Sequence, residues 1–277
     1  CARPPRSVSV PFAMSAPASS PSPFGHLLRQ WRALRHLSQF ALALKAGTPA
    51  RHVSFLETGR ARPTQAMVLR LAAALDVPLS ERNALLAAAG FGPVYTARAL
   101  DDAALASVRD VIGRLLRSHA PLPALVLDAH YAVLDLNDGA RALLAALGIA
   151  GDGTLPNLVT LLLGPLRETM VNHDDVVRDT QARLQRDLAA SPGDARLASL
   201  LDAVERALVG RDAARARPAE SPVLLTTFRT PAGPLHTLSA LVHFGGARDA
   251  TVQGLQVELM YPADARSEAL LRAVVGG

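Results

Sequence analysis

The chain has 277 residues, 49% of them apolar and 4% aromatic, enough for one or two domains with real cores and too apolar for a disordered protein. No apolar run approaches the ~20 residues that span a bilayer, no secretory signal stands out near the start, and the single cysteine, Cys1, excludes internal disulfides and cysteine-based zinc sites; a cytoplasmic setting is expected. The net charge of +5 is uneven: residues 1–92 hold 11 basic and 3 acidic residues, whereas residues 93–277 hold 18 and 21. Arginine outnumbers lysine 28 to 1, which a compositional bias explains. The scarcity of acidic residues in the first third is not explained that way and points to a polyanionic partner there.

Residues 1–23 are rich in Pro and Ser and read as a disordered leader, with Met14 as the expected natural start. From Phe24 the pattern is helical, with Leu27, Trp31 and Leu34 at i, i+4 and i+7. Ser38 reads as the cap of a second helix carrying Leu42, Ala43 and Ala46, which Gly47 ends. Thr48 reads as the cap of a third, with Pro49 at its first position and Val53 and Leu56 inward, ending at Gly59. Thr64 caps a fourth helix with Val68, Leu71, Ala72 and Leu75, and Ser80 a fifth that runs to Gly90. Residues 24–92 are therefore expected to form an all-α five-helix domain.

A linker and connecting helix follow over 93–118, the helix opening at Asp101 or Asp102 and carrying Leu105, Val108, Val111, Ile112 and Leu115. Residues 119–277 read as a second, α+β domain. Its strands are expected at Ala124–Asp128 and Tyr131–Leu136, joined by a tight turn at Ala129-His130, and at Val223–Arg229, Leu235–Phe244 and Val252–Met260. Helices are expected from Asn137 to Leu147, over 156–189 and 194–209, and from Ser267, with a loop at Arg211–Glu220. In the last strand Leu255, Val257 and Leu259 alternate with Gln256 and Glu258, which predicts a sheet with one buried face. The order gives an antiparallel sheet of about five strands packed by helices.

The segment Leu37–Gly59 meets the requirements of a helix-turn-helix. Ala43 is small where two helices must cross, Gly47 makes the turn, and Val53 and Leu56 anchor the second helix so that it can lie in a DNA major groove. Leu37-Ser38-Gln39, Leu42-Ala43, Ala46-Gly47, Val53-Ser54, Leu56-Glu57 and Gly59 resemble the lambda-repressor/Cro-type (XRE) family. On the outward start of the second helix, Ala50, Arg51, Ser54 and Phe55 are expected at base edges. Arg51 suits guanine O6 and N7, and Ala50 or Phe55 a thymine methyl. Gln39, Thr48, His52, Arg60 and Arg62 are expected at phosphates, Gln39 because it resembles the family glutamine that does so; supporting the fold is the alternative role for His52. The resemblance makes Glu57 a structural residue, expected to pair with a nearby arginine. One recognition helix reads few bases, so a homodimer on a palindromic double-stranded operator is expected.

The second domain offers little for catalysis. Gly151-Asp152-Gly153 lacks the lysine and context of a phosphate loop. No nucleophile-elbow serine is present, and the eight scattered histidines give no metal-ligand spacing. No catalytic residue, metal or resident cofactor is expected, and an enzyme is disfavoured. The densest polar cluster, His173-Asp174-Asp175, reads either as a solvated helix start or as a polar anchor lining a pocket.

Pro123-Ala124-Leu125-Val126-Leu127-Asp128 with Asn137, Val171-Asn172-His173, Leu255-Gln256-Val257-Glu258-Leu259 and Tyr261-Pro262-Ala263-Asp264 resemble the MmyB-like regulators, as do Ser54–Arg60 and Glu81–Leu86. The resemblance covers residues 24 to about 274. It implies an XRE-type domain followed by a PAS-like domain that holds a lipid such as a fatty acid. His173 departs from the family, which commonly has Trp there. From strand parity, Leu134, Leu136, Phe228, Leu238, Val242 and Val257 are the expected pocket wall, with Asn137, His173, Arg178 and His236 as head-group candidates. A filled core serving only dimerisation or protein interaction is the alternative.

Overall fold

The computed structural model describes residues 22–149, 157–211 and 223–276. The expected leader with Met14, Gly151-Asp152-Gly153 and nearly all of the Arg211–Glu220 loop lie outside the described residues. Five helices open the chain: α1 (Pro23–Leu34), α2 (Gln39–Lys45), α3 (Ala50–Glu57), α4 (Gln65–Ala74) and α5 (Leu79–Ala88). By contacts the chain divides into two compact units. One holds the residues up to Leu75 with Ala88–Phe91, and the other holds Asp76–Ala87 with the residues from Gly92 on. The body of α5 thus lies in the second unit, where Leu79 N–H donates to Gln253 Oε1 at 2.7 Å and Asn83 Nδ2 donates to Tyr95 O at 2.6 Å.

Local chemistry sets the helix starts. Ser38 Oγ accepts from Ala41 N at 3.0 Å, and Thr64 Oγ1 accepts from Met67 N at 3.3 Å, as N-caps should. Thr48 does not cap α3. Pro49 is extended at the N-cap position (φ −64°, ψ 141°) and supplies no side-chain bond, so the helix begins one residue later than its sequence suggests. The buried stripe of α1 keeps the i, i+4, i+7 spacing but starts three residues earlier: Phe24, Leu28 and Trp31 are buried, whereas Leu27 is only partly buried and Leu34 is exposed. Both patterns have helical period, and the deciding feature is Gly25. A Cβ there would stand 2.6 Å from Leu56 O and 2.7 Å from Glu57 O, so α1 meets the end of α3 along the face that carries Gly25. Gly25→Ala is expected to destabilise the unit by about 1–3 kcal/mol despite alanine's better helix propensity; urea unfolding measures it, and a stabilised variant would contradict the packing.

The second unit is α+β. After a 3-10 turn (Ala103–Leu105), α6 (Ala106–His119) leads to β1 (Ala124–Leu127) and β2 (Val133–Leu136). Then come α7 (Asp138–Ala146), α8 (Leu158–Leu163), α9 (His173–Ala190) and α10 (Ala195–Leu208). Strands β3 (Thr226–Thr230), β4 (Gly233–His243) and β5 (Gln256–Pro262) complete the sheet, with α11 (Ala250–Gly254) before β5 and α12 (Ala265–Gly276) after it. The sheet is antiparallel in the order β2-β1-β5-β4-β3. The turn between β1 and β2 is held by Asp128 Oδ1, which accepts from the backbone N–H groups of His130 and Ala132, both at 2.8 Å.

Two expectations fail. Val252–Gly254 is helical rather than part of the last strand, because Asp249 caps α11 through Thr251 N and is fixed by Arg98 at 2.9 Å. The sheet also does not have one solvated face. Ile112 and Leu116 of α6 pack on Ala124, Val126, Leu255 and Val257 on one side, and residues of α7, α8, α9 and α10 cover the other.

Candidate functional site

Two regions gather functional side chains, one in each unit. In the first, Leu42, Ala43, Val53 and Leu56 are all buried, and Gly47 (φ +59°) makes the turn that joins α2 to α3. This leaves the first turns of α3 turned outward. Arg51 is exposed, and Ala50, His52, Ser54 and Phe55 are partly exposed. The Arg51 guanidinium lies 4.9 Å from the Phe55 ring centroid, a cation–π contact that limits its wandering. Among the described residues, neither Arg51, Arg60 nor Arg62 has a carboxylate partner. The backbone N–H groups of Arg60 and Ala61 both donate to Phe55 O, at 2.8 and 3.1 Å, which fixes the start of the loop bearing the two outer arginines.

Glu57 holds this arrangement together. Its side chain is fully buried and joins three helices. Arg32 of α1 donates through Nε at 2.6 Å and Nη2 at 3.0 Å, Gln39 of α2 through Nε2 at 2.8 Å, and Arg29 lies 3.5 Å away. Arg32 also donates to Leu37 O at 2.9 Å. Burial opposes ionisation of Glu57, but the Arg32 and Gln39 hydrogen bonds and the arginine charges outweigh it and hold the carboxyl below its usual range. The expected pairing of Glu57 with an arginine is found, and one N–H of Gln39 is committed to Glu57.

In the second unit, a cavity of about 1160 Å³ lies between the sheet and α7, α8 and α9. Its wall is mostly aliphatic, with Leu125 and Met260 on the sheet and Leu143, Leu162 and Val176 among the helical contributors. Arg141, Asp179, Thr180, Arg183, Ser239 and Glu258 are among its polar side chains, with the hydroxyls of Tyr131, Thr160 and Thr226. Arg183 Nε donates to Asp179 Oδ2 at 3.0 Å. Burial disfavours the Arg183 cation, and the Glu258 and Asp179 carboxylates more than compensate, raising its affinity for the proton. Tyr131, held at φ +63°, donates to Asp187 Oδ2 at 2.7 Å; burial and that carboxylate push its phenol up.

Of the expected wall, Leu136 and Phe228 line the cavity, and Leu134, Leu238, Val242 and Val257 do not. The β1–β2 register shifts so that Leu125 faces Leu136 but Leu127 faces Val133. This bulge breaks the period-2 rule and leaves Leu134 exposed. On β4 and β5 the parity is inverted: Ser239, Leu241, Glu258 and Met260 face the cavity, whereas Val242 and Val257 pack toward α6. A one-residue change of phase moves every side chain of a strand to the other face.

None of the four head-group candidates lines the cavity. Asn137 is a buried knot. Its Oδ1 accepts from Ala124 N and Ala140 N, both at 2.9 Å, and its Nδ2 donates to Leu122 O at 2.8 Å and Leu116 O at 3.2 Å. His173 is buried with Nε2 at 2.8 Å from Leu162 O. In the same cluster Asp174 pairs with Arg211. Arg178 lies by Arg211 O at 3.5 Å, and His236 Nδ1 bonds Thr227 Oγ1 at 3.0 Å. Sequence reasoning missed Arg183 and Glu258. The signal was present in the alternation that puts Glu258 on one face with Met260, a mixed face that is neither core nor plain surface.

No helix among the described residues is long and apolar enough to cross a membrane. Residues 28–82 match a helix-turn-helix family model. Residues 108–274 match the model described as MmyB-like transcription regulator ligand binding domain. None of the curated proteins matches the sequence. The second match spans more than half of the chain, which therefore belongs to the MmyB-like transcription regulators. It is a DNA-binding transcription regulator with a ligand-binding domain.

Proposed function

We propose that this MmyB-like regulator binds a two-fold symmetric operator as a homodimer, and that a fatty acid or similar lipid-like effector in its PAS-like domain sets its affinity for that operator. The observation that carries the proposal is the cavity: about 1160 Å³ lined mainly by aliphatic side chains, slightly larger than the ~300–1,000 Å³ typical of ligand pockets. About ten methylenes buried there contribute ~8 kcal/mol, equivalent to micromolar affinity before ordering costs. The five-stranded antiparallel sheet with helices inserted between its second and third strands supports the PAS-like reading.

At the operator, Ala50, Arg51, Ser54 and Phe55 face base edges. Gln39, Thr48, His52, Arg60 and Arg62 face phosphates; Gln39 keeps one amide N–H for this beyond the one given to Glu57. Selection of bound duplexes from a random pool tests the first half of the proposal: recovery of an inverted repeat supports it, and recovery of no consensus contradicts it. On the selected operator, Arg51→Ala is expected to cost about 1–3 kcal/mol and relax specificity at one base. Arg60→Ala should weaken specific and random DNA alike and flatten the salt dependence. Equal loss on both DNAs from Arg51→Ala would contradict its assignment as a base reader. Titrating decanoate into the protein–operator complex tests the second half, and an operator affinity that does not move would contradict the coupling.

A further inference from the structure

Glu258 is the feature of the cavity that packing does not explain. It lies on β5, the central strand of the sheet, and lines the cavity. The residue is only 9% exposed, and its Oε2 is buried without a hydrogen-bond partner among the described residues. A carboxylate oxygen in such a place is costly until a donor meets it. Two donors of the wall are engaged elsewhere. Arg183 gives its Nε to Asp179 and acts on Glu258 through the field of its charge, and the Tyr131 hydroxyl goes to Asp187.

A second place on the wall suits a negative head group. Arg141 of α7 lines the cavity with its side chain half-exposed. Among the described residues its bonds leave from Nη2, to Leu136 O at 3.0 Å and to the half-exposed Asp135 at 3.4 Å, so the rest of the guanidinium fork can meet a carboxylate. Arg183 is the weaker anchor. Asp179 and Glu258 set two negative charges against its one, and a third carboxylate there would be repelled. The sheet register sets the distance between Arg141 and Glu258. Leu136, Leu125 and Glu258 form one row across β2, β1 and β5, and Arg141 is bonded at the Leu136 end of it. Strands ~4.8 Å apart put the ends of that row about 10 Å apart, the reach of roughly eight carbon–carbon bonds of ~1.5 Å in zigzag. A fatty acid held at Arg141 therefore meets Glu258 at roughly its ninth or tenth carbon. A plain methylene chain there shuts out water and leaves Oε2 unmet, whereas a hydroxyl donates to it.

We propose that the cavity selects hydroxylated fatty acids, with the carboxylate at Arg141 and a hydroxyl far along the chain donating to Glu258. The proposal rests on the reading of the cavity as a fatty-acid site and names the kind of fatty acid within it. The test is calorimetric titration of the full chain at neutral pH with decanoate, 3-hydroxydecanoate and 10-hydroxydecanoate, which share one chain length and one head group. The 10-hydroxy acid is expected to bind about tenfold tighter than decanoate, the worth of a hydrogen bond to a charged acceptor. The 3-hydroxy acid, whose hydroxyl stays beside the head group, should bind no tighter than decanoate. Glu258→Leu should tighten decanoate and abolish the preference for the 10-hydroxy acid. Arg141→Leu should weaken decanoate and the 10-hydroxy acid alike, about tenfold, and leave 1,10-decanediol within about twofold. Decanoate or the 3-hydroxy acid binding the unaltered chain as tightly as the 10-hydroxy acid would overturn the role of Glu258 and leave the fatty-acid site standing. Undiminished acid binding by a folded Arg141→Leu chain would overturn the head-group placement. If none of the three acids binds, the underlying reading of the cavity falls as well. The ranking on the unaltered chain decides the matter even if neither variant folds.

Discussion

Glu57→Ala is expected to unfold the helices that carry the DNA-reading surface. The substitution strands the Arg32 guanidinium, whose side chain is only 17% exposed, and deprives Gln39 of its acceptor. Breaking a buried pair from one side costs about 3–5 kcal/mol, a large part of the ~5–15 kcal/mol that holds an ordinary domain. Thermal melts followed by helix signal should show the loss. Acid should act on the same bond. The folded carboxyl is held below its ordinary value of 4.5, so its contribution is complete above that value and disappears as pH falls through the lower folded value. Glu57→Gln should lack that part of the acid slope. A Glu57→Ala chain as stable as the parent, or identical acid slopes, would contradict the structural role.

Leu241→Trp is expected to abolish ligand uptake while keeping the fold. Leu241 lies on the cavity wall and is 36% exposed, and tryptophan is well suited to strands. The indole would occupy space that an acyl chain needs. A loss on the order of 100-fold in affinity, ~2.7 kcal/mol, corresponds to roughly three or four methylenes left unburied. Calorimetry with a ten-carbon ligand measures the affinity, and the melting temperature checks the fold. Undiminished binding in a folded Leu241→Trp chain would place the ligand elsewhere.

The helix-turn-helix was legible because its signals are local. Ser38 and Thr64 cap helices within three residues of themselves, Gly47 marks a backbone conformation few residues adopt, and Val53 and Leu56 follow helical period. Where the reading slipped there, as at Thr48 and in the stripe of α1, the cause was a contact or backbone preference that periodicity does not encode. Pro49 is extended at the cap position, and Gly25 presses against the end of α3.

The second unit was legible in its elements and obscure in its faces. Five strands and the Asn137 cap were readable, but the cavity wall was not. The rule that apolar alternation faces the core assumes one core, and this sheet has two covered faces. Glu258 looks solvent-facing by that rule because the cavity carries polar residues inside. The bulge at β2 and the anchoring of Asp249 by Arg98 depend on partners distant in sequence, and no local window contains them. Asn137 was read as a cap and as a ligand anchor; the same polarity serves a buried knot of four hydrogen bonds.

The central claim, that a DNA-binding regulator carries a lipid-sized effector site, is tested most directly by native mass spectrometry of the full chain purified without detergent. The expected result is a protomer heavier than the bare 29.1 kDa chain by one small apolar molecule, or a bare chain that takes up one ten-carbon amphiphile per protomer, with Leu241→Trp doing neither. A bare chain that takes up no ten-carbon amphiphile, or uptake that Leu241→Trp leaves unchanged, would contradict it.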